Sequence, residues 1–317
     1  MFQGSAVIRP GLRAAAFFLG VLLMPGAPLW AQGLAGQDAL SSGTSLEARL
    51  SPVRVETTLF PLYDMARAVG GEQADVALLI PPGIEPHSFE PSPADIVRIN
   101  DSDIFIYTGE TMEPWVGKLL PGISNQNLQI IAASQGLAQQ GGDPHVWLDP
   151  DNDCKIVDAI ALAFIDRDPE HQAAYRERAD KYKAALTVLD AAYRTGLKDC
   201  RSRTIVYGGH FAFAYLAARY GLDQVSPYGG FAPDAEPAPR AVAELVARMR
   251  TLGTHTVFYE ELIDPKVARV IAEETGAAQV LLSAAHNISA DEKAAGVTFL
   301  SIMEDNLKKL KAGLECR

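Results

Sequence analysis

Short apolar segments alternate with amphipathic segments along most of this 317-residue chain. The apolar segments have the length and the β-branched content of buried strands, and the segments between them have apolar residues at helical spacing. Strands that alternate with helices over short connections predict an α/β fold with parallel sheets covered on both faces. The predicted strands span 53–59, 75–80, 104–107, 128–132, 204–207, 224–227, 256–259 and 279–282.

The helices between these strands are marked by their start signals. The clearest start is at Ser92, a good N-cap, followed by Pro93 in the first turn and by Asp95, which favours the helix dipole. The second half of the chain repeats the alternation of the first. The predicted helices of ordinary length span 62–69, 92–100, 152–164, 211–220, 240–251, 265–275 and 297–314.

One further helix is predicted to be much longer. From Pro169 to about Leu197, no proline or glycine interrupts the chain before Gly196. About 28 helical residues would span roughly 40 Å, enough to cross two lobes and limit bending between them. We therefore predict two βα lobes, 52–168 and 199–317, joined by a rigid helix over 169–198; a helix packed within one lobe is the alternative. Its apolar face is predicted to hold Tyr175, Tyr182, Leu186, Leu189 and Tyr193.

The first 31 residues have the features of a secretory signal peptide. Arg9 and Arg13 precede the apolar run AAAFFLGVLLM, which is too short for a membrane span, and the segment ends in a cleavage-type sequence at Ala31. No cysteine follows the run before Cys154, which argues against a lipid anchor. We expect a free periplasmic protein, with residues 32–51 as a flexible leader.

The net charge and the cysteine content limit the classes of function that the chain can have. The formal net charge is −11, which excludes an electrostatic footprint for nucleic acid or an anionic membrane. Three cysteines in an exported protein predict one disulfide and one free thiol. Cys200 and Cys316 each end a helical stretch and are the predicted pair. Cys154 begins a helix and is predicted to be a buried thiol.

Three histidines lie in short, unusual sequences just after predicted strands or one loop beyond them. His87 lies in EPHSFEP, His145 in DPHVWLDP and His210 in GGHF. Prolines around His87 restrict its loop, and Gly208 and Gly209 are expected to let the backbone turn sharply before His210. Because the carboxyl ends of parallel strands open onto one crevice, the three imidazoles are expected to converge on a metal ion.

These segments resemble the zinc/manganese solute-binding proteins of ABC importers. The resemblance extends from about Val53 to Leu314 and includes Phe258-Tyr259-Glu260 and the closing pattern over 299–310. It implies two βα lobes bridged by a long helix, with the ion between them, and delivery of the ion to a membrane permease. By position, His87, His145 and His210 match the family's ligand histidines.

The fourth ligand departs from that family pattern. Many members carry an aspartate after the last strand, where this chain has Leu282-Ser283-Ala284. His286 follows the same strand and is the first choice of substitute, with Glu261 or a water molecule as alternatives. Residues 124–142 contain no histidine, so metal capture by a histidine-rich loop is not expected. His171 and His255 are expected to have no role in the site.

A site of three or four imidazoles with no obvious carboxylate favours Zn²⁺ over manganese or iron. We predict a monomeric, non-enzymatic zinc-binding protein. The rival from another class is an exported zinc hydrolase, with an open water position and Glu85, Glu90 or Glu260 as general base. No His-Glu-x-x-His motif occurs to support it. The same histidines could also serve a manganese or iron importer component, or an adhesin-like or metal-buffering protein.

Overall fold

The computed structural model of the protein describes residues 51–138, 140–230 and 236–317. The signal peptide predicted over 1–31 and the leader predicted over 32–51 lie outside the described residues, except for Ser51. From Ser51 to Arg317 the chain forms one compact unit. No helix within the described ranges is both long and apolar enough to cross a membrane.

The N-terminal lobe is built on a four-stranded parallel sheet. Its strand order is β2-β1-β3-β4. The register pairs Val55 of β1 with both Val76 of β2 and Ile104 of β3. The inner strand β3 is apolar and buried along its whole length, and β1 is buried except at Arg54, because helices cover the sheet. The four strands are Val53–Thr57 (β1), Ala74–Leu78 (β2), Ile104–Tyr107 (β3) and Gln129–Ala132 (β4).

The C-terminal lobe repeats this strand order. Two parallel pairs, β5-β6 and β7-β8, are joined by a parallel bridge between Tyr207 and Phe258. The Gly208 amide donates to the Phe258 carbonyl at 2.7 Å and extends this junction. The order is therefore β6-β5-β7-β8. The strands are Thr204–Val206 (β5), Asp223–Val225 (β6), Thr256–Tyr259 (β7) and Ala278–Leu281 (β8).

Ten α-helices are present in the described ranges. Most agree with the sequence prediction to within a few residues, and the capping box at Ser92 and Asp95 is formed. Two short helices, α3 and α9, are not predicted by the sequence pattern. The helices are Phe60–Gly70 (α1), Pro93–Asp101 (α2), Val116–Leu119 (α3), Pro150–Arg167 (α4), Gln172–Gly196 (α5), Ala214–Tyr220 (α6), Pro239–Leu252 (α7), Lys266–Thr275 (α8), Ala290–Ala294 (α9) and Phe299–Gly313 (α10).

The long helix α5 has 25 residues, which corresponds to about 38 Å. It begins three residues later than predicted because 169–171 form a 3₁₀ turn. Tyr182 near its middle donates a hydrogen bond to Asp64 of α1 at 3.1 Å. Tyr193 near its end donates to the Met303 carbonyl of α10 at 2.6 Å. The helix therefore packs against elements from both halves of the chain, and its five predicted apolar positions are all buried.

Asp64 adds a second connection between the halves. Its carboxylate accepts the Tyr182 hydroxyl and also the backbone amide of Phe299, the first residue of α10. Burial raises the pKa of Asp64 despite these two hydrogen bonds. The side chain of Asp64 thus fixes the start of the last helix against the first one.

The predicted disulfide between Cys200 and Cys316 is confirmed. It joins the end of the long helix to the end of α10. Cys154 is a free cysteine, as predicted, but it is only partly buried, because it lies beside the exposed Asp151 and Lys155 at the edge of the buried face of α4. Burial and neighbouring acids raise the pKa of its thiol.

Candidate metal centre

Four histidines meet at the carboxyl ends of strands from both lobes. His87 and His145 follow β2 and β4 of the N-terminal lobe, and His210 and His286 follow β5 and β8 of the C-terminal lobe. The two sheets therefore present their loop edges to each other, as parallel sheets commonly do at ligand sites. His145, His210 and His286 are buried, and His87 alone keeps partial exposure.

The four side chains are close enough to hold one ion. One ring nitrogen from each lies within 4.8 Å of the corresponding nitrogen of every other. The Nε2 atom of His145 is 3.3 Å from Nε2 of His87 and 3.5 Å from Nε2 of His210. Zinc with tetrahedral bonds of about 2.0–2.1 Å would set its nitrogen ligands about 3.3–3.4 Å apart. The two distances from His145 therefore match those of a tetrahedral zinc site, and all four nitrogens lie within 4.8 Å of one another.

The fourth histidine has an unpaired nitrogen aimed into this group. Nε2 of His286 is buried and has no hydrogen-bond partner within the described part of the chain. A buried polar atom without a partner costs free energy unless a ligand satisfies it. Residue 286 therefore presents the kind of atom that an ion would engage.

Carboxylates orient three of the four rings. Nδ1 of His145 contacts Asp143 and Nδ1 of His210 contacts Glu260, both at short range. Nδ1 of His286 lies 3.2 Å from Glu261. A carboxylate on Nδ1 fixes the ring and leaves Nε2 for the metal, and it increases the basicity of the ligand nitrogen.

Each carboxylate also binds backbone, so ring and loop are fixed together. Glu261 accepts the amides of Ala284 and His286 at 3.0 and 3.3 Å. Asp143 accepts the amide of His145 with one oxygen and the amide of Ala214, the first residue of α6, with the other. The Asp143 side chain thus connects the His145 loop to the C-terminal lobe.

Burial and neighbouring charges shift the pKa values of three of the four histidines. Burial lowers the pKa of His87 to about 2, with further lowering from His286 and His210, and it lowers the pKa of His145 well below its usual value. Burial also acts to lower the pKa of His286, but the hydrogen bond and charge of Glu261 outweigh it and raise that pKa. Burial acts to raise the pKa of Glu261, but the hydrogen bond and charge of His286 outweigh it and lower that pKa. His286, paired with Glu261, therefore holds its proton to a higher pH than a free imidazole does.

The glycines before His210 are needed for a reason other than the predicted one. Neither Gly208 nor Gly209 has a positive φ, so the expected sharp turn does not require glycine there. Space is what matters, because a Cβ atom on Gly209 would lie 2.6 Å from Oε1 of Glu260. Gly209 lets Glu260 approach the backbone and reach His210.

Two of the candidate acids and two of the histidines lie outside the group of four. Glu85 accepts the backbone amide of His87 at 3.0 Å, and Glu90 is exposed. His171 and His255 are both exposed, as expected, and neither belongs to the group of four.

Sequence reasoning misses the positioning roles of four residues. The sequence suggests Glu260 as a base and Glu261 as a ligand and places Asp143 within a motif, but it does not indicate them as partners of histidine Nδ1 atoms. Trp147 is also missed: its indole donates to the Ala284 carbonyl at 2.7 Å, and its ring packs edge-on against His145 and His286. The acids could have been identified from their positions along the chain: Asp143 lies two residues before His145, and Glu260 and Glu261 directly follow β7.

We expect Glu261→Gln to lower zinc affinity about 10–100-fold, because glutamine keeps the shape but removes the charge that orients and polarises His286. Competition titration against a chromophoric chelator measures this effect. The exposed Glu273 on α8 supplies the control, and Glu273→Gln should leave the affinity unchanged. Equal affinities of the two variants would remove Glu261 from the site.

Two parallel-sheet lobes joined by a long helix, with a buried histidine group between them, define a metal-type solute-binding protein. The chain belongs to the family described as zinc-uptake complex component A, periplasmic, whose model matches residues 55–313.

Two relatives and one solved structure illustrate the similarity. The chain is 33% identical over 293 residues to the high-affinity zinc uptake system protein ZnuA of Bacillus subtilis (strain 168), covering 86% of this chain and 91% of that protein. It is 33% identical over 278 residues to the zinc-binding lipoprotein AdcA of Streptococcus pneumoniae, covering 82% of this chain but only 55% of AdcA. The crystal structure of the Zn(II)-bound ZnuA-like domain of S. pneumoniae AdcA superimposes with a TM-score of 0.74 at 34% identity, covering 84% of this chain and all of that domain.

Proposed function

We propose that this protein captures Zn²⁺ between its two lobes and delivers it to the permease of an ABC importer. The observation that carries the proposal is the convergence of four histidine nitrogens within 4.8 Å, a group that includes no carboxylate from the described residues. Membership of the zinc-uptake family supports delivery to a transporter. His87, His145, His210 and His286 are the proposed ligands.

The donor set favours zinc over manganese and iron. Four neutral imidazoles suit Zn²⁺, whereas Mn²⁺ prefers a larger share of carboxylate and water oxygen. The acids closest to the site are occupied with histidine Nδ1 atoms, as Glu260 is with His210 and Glu261 with His286. They are therefore placed to orient ligands, and we do not propose a manganese or iron site.

The same arrangement argues for binding and not for catalysis. A hydrolytic zinc site keeps an open position for water, and its general base must reach that water. Four protein ligands would fill a tetrahedral zinc ion. Of the candidate bases, Glu260 contacts His210, Glu85 caps the His87 turn and Glu90 is exposed.

The exposure of the ligands suggests the path of the ion. Three of the four histidines are buried and His87 is partly exposed. We propose that zinc enters and leaves past His87, so the loop that carries His87 controls exchange.

The sequence supports capture outside the cytoplasm. The signal peptide predicted over 1–31 favours export, and the periplasm is the compartment that we propose. In the same proposal, a monomer with lobes over 52–168 and 199–317 and a connecting helix over 169–198 presents the ion to the permease.

Metal content is the direct test of the proposal. We expect elemental analysis of the purified protein to find about one zinc per chain, and we expect His286→Ala to lose or weaken it, because Nε2 of His286 has no other partner among the described residues. No zinc in the wild-type protein would overturn the function. One zinc held with unchanged affinity by the variant would reassign the fourth ligand to Glu261 or water and revive the hydrolase alternative.

Zinc affinity should also depend on pH in a specific way. The pKa of His286 is raised, so the ion must displace a proton from it once the pH falls below that pKa. The pKa values of His87 and His145 are lowered, so these rings stay neutral. We expect affinity to fall as the pH drops below the pKa of His286, by about tenfold per pH unit from this residue alone.

Isothermal titration in buffers of different ionisation enthalpy counts the protons that zinc releases. Below that pKa, zinc is expected to release about one proton more from the wild type than from His286→Ala. A release of three or more protons at pH 6 by the wild type would contradict the protonation scheme.

A further inference from the structure

The segment 283–288, which carries His286, is fastened to both lobes. On its own side, Asn306 of α10 binds the amide and the carbonyl of Ser283 at 3.1 and 2.7 Å. On the other side, the His286 carbonyl accepts the amide of Phe60, the first residue of α1, at 3.2 Å. The segment therefore spans the junction between the lobes.

Asn287 makes the most specific of the contacts across this junction. Its side-chain amide donates to the Pro81 carbonyl at 2.7 Å and to the Ile84 carbonyl at 3.0 Å. The next residue, Ile288, accepts the amide of Gly83 at 2.8 Å through its carbonyl. Asn287 is 3% exposed, so these hydrogen bonds do not compete with solvent.

The residues that Asn287 binds form the turn that leads to His87. Ile84 donates its amide to Pro81 at 3.2 Å, and Gly83 between them has a φ of 84°, as the third position of a type II turn requires. His87 follows this turn by three residues. Because the carbonyls at the two ends of the turn are held by Asn287, the position of the turn is set by the residue next to His286.

We infer that Asn287 is a positioning residue, which holds the partly exposed ligand His87 in register with the buried ligand His286 and thereby slows the loss of zinc. The inference rests on the proposed function, and it gives a role in that function to a residue that is not a ligand of the ion. A ligand on a mobile loop is lost more readily than a ligand on a fixed one, so the Asn287 contacts should act mainly on the dissociation rate.

The test compares Asn287→Ala with a matched variant elsewhere. Asn125 also donates its amide to two backbone carbonyls, those of Asn100 and Ser102 at 2.9 and 3.0 Å, and it lies at the amino ends of β3 and β4, the opposite edge of the sheet. Asn125→Ala therefore controls for the loss of two such hydrogen bonds. We expect Asn287→Ala to speed zinc dissociation into excess chelator about tenfold, and Asn125→Ala to leave that rate unchanged.

Hydrogen exchange in the metal-free protein provides a readout that does not require zinc. We expect Asn287→Ala to speed exchange of the Gly83 and Ile84 amides, while His286→Ala leaves those amides protected. The double variant Asn287→Ala with His87→Ala should release zinc no faster than His87→Ala alone, because Asn287 is inferred to act through His87.

The outcomes separate the two proposals. A wild-type protein that binds no zinc would refute the proposed function. A wild type that binds zinc, with equal dissociation rates for Asn287→Ala and Asn125→Ala, would refute the inference alone. Additive effects in the double variant would also refute it, since they would mean that Asn287 does not act through His87.

Discussion

Replacing His210 by alanine is expected to lower zinc affinity at least about 100-fold, more than the loss of an orienting carboxylate does. The side chain is fully buried, contacts Glu260 through Nδ1 and lies 3.5 Å from Nε2 of His145 through its own Nε2. Its removal would take away one of four proposed ligands and leave a cavity that solvent cannot easily fill. Competition titration with a chelator of known affinity measures the loss.

His171→Ala is the comparison for this experiment. His171 is exposed and contacts Asp168 in the 3₁₀ turn before the long helix, outside the group of four histidines. Its replacement should leave zinc affinity unchanged, and the thermal unfolding of both metal-free variants reports any loss of fold. Equal losses of affinity in the two variants would count against the site.

Removal of the disulfide should have the largest effect on stability. The bond between Cys200 and Cys316 links residues 116 positions apart and so encloses the whole C-terminal lobe. A loop of that length is expected to give about 3–5 kcal/mol by restricting the unfolded chain. Replacing both cysteines by serine should lower the free energy of unfolding by that amount, as measured by denaturant titration.

The backbone segments around Cys200 and Cys316 should remain paired without the disulfide. The Arg201 amide donates to the Glu315 carbonyl at 3.2 Å, and the Arg317 amide donates to the Asp199 carbonyl at 3.0 Å. Zinc affinity is therefore expected to survive the double replacement. Cys154→Ser is the control, since its thiol is free. A double variant as stable as this control would show that the bond adds nothing.

The fold could be predicted because its signals are local. Alternating apolar and amphipathic segments indicate all eight strands and the long helix α5. Helix α9 is missed because five residues are too few for helical spacing to be recognised, although Ser289 and Glu292 form a capping box at its start. The sequence predicts that α6 starts at Phe211, whereas the helix begins at Ala214. The amide of Ala214 binds Asp143, which lies 71 residues earlier in the chain, and the sequence pattern does not show this contact.

The four histidines of the candidate site could be proposed from the sequence, but most of the residues that surround them could not. His286 could be proposed because it follows a strand, as His210 does. Glu260 pairs with His210 and Glu261 pairs with His286 across loops that lie 50 and 25 residues apart within the C-terminal lobe. Sequence spacing alone does not show which of these loops meet. The need for Gly209 was misassigned for the same reason, since the atom it makes room for belongs to Glu260.

The long helix α5 affects how the protein would compete for the permease at the membrane. It packs on Asp64 from the first half and on Met303 from the second, which leaves little freedom for the lobes to open. We therefore expect the empty and the loaded protein to have nearly the same outline. A permease that binds two forms alike cannot discriminate between them except through the small surface that differs. Empty carrier would therefore occupy the transporter in competition with loaded carrier, and the ratio of the two forms, more than their total amount, would set the rate of import.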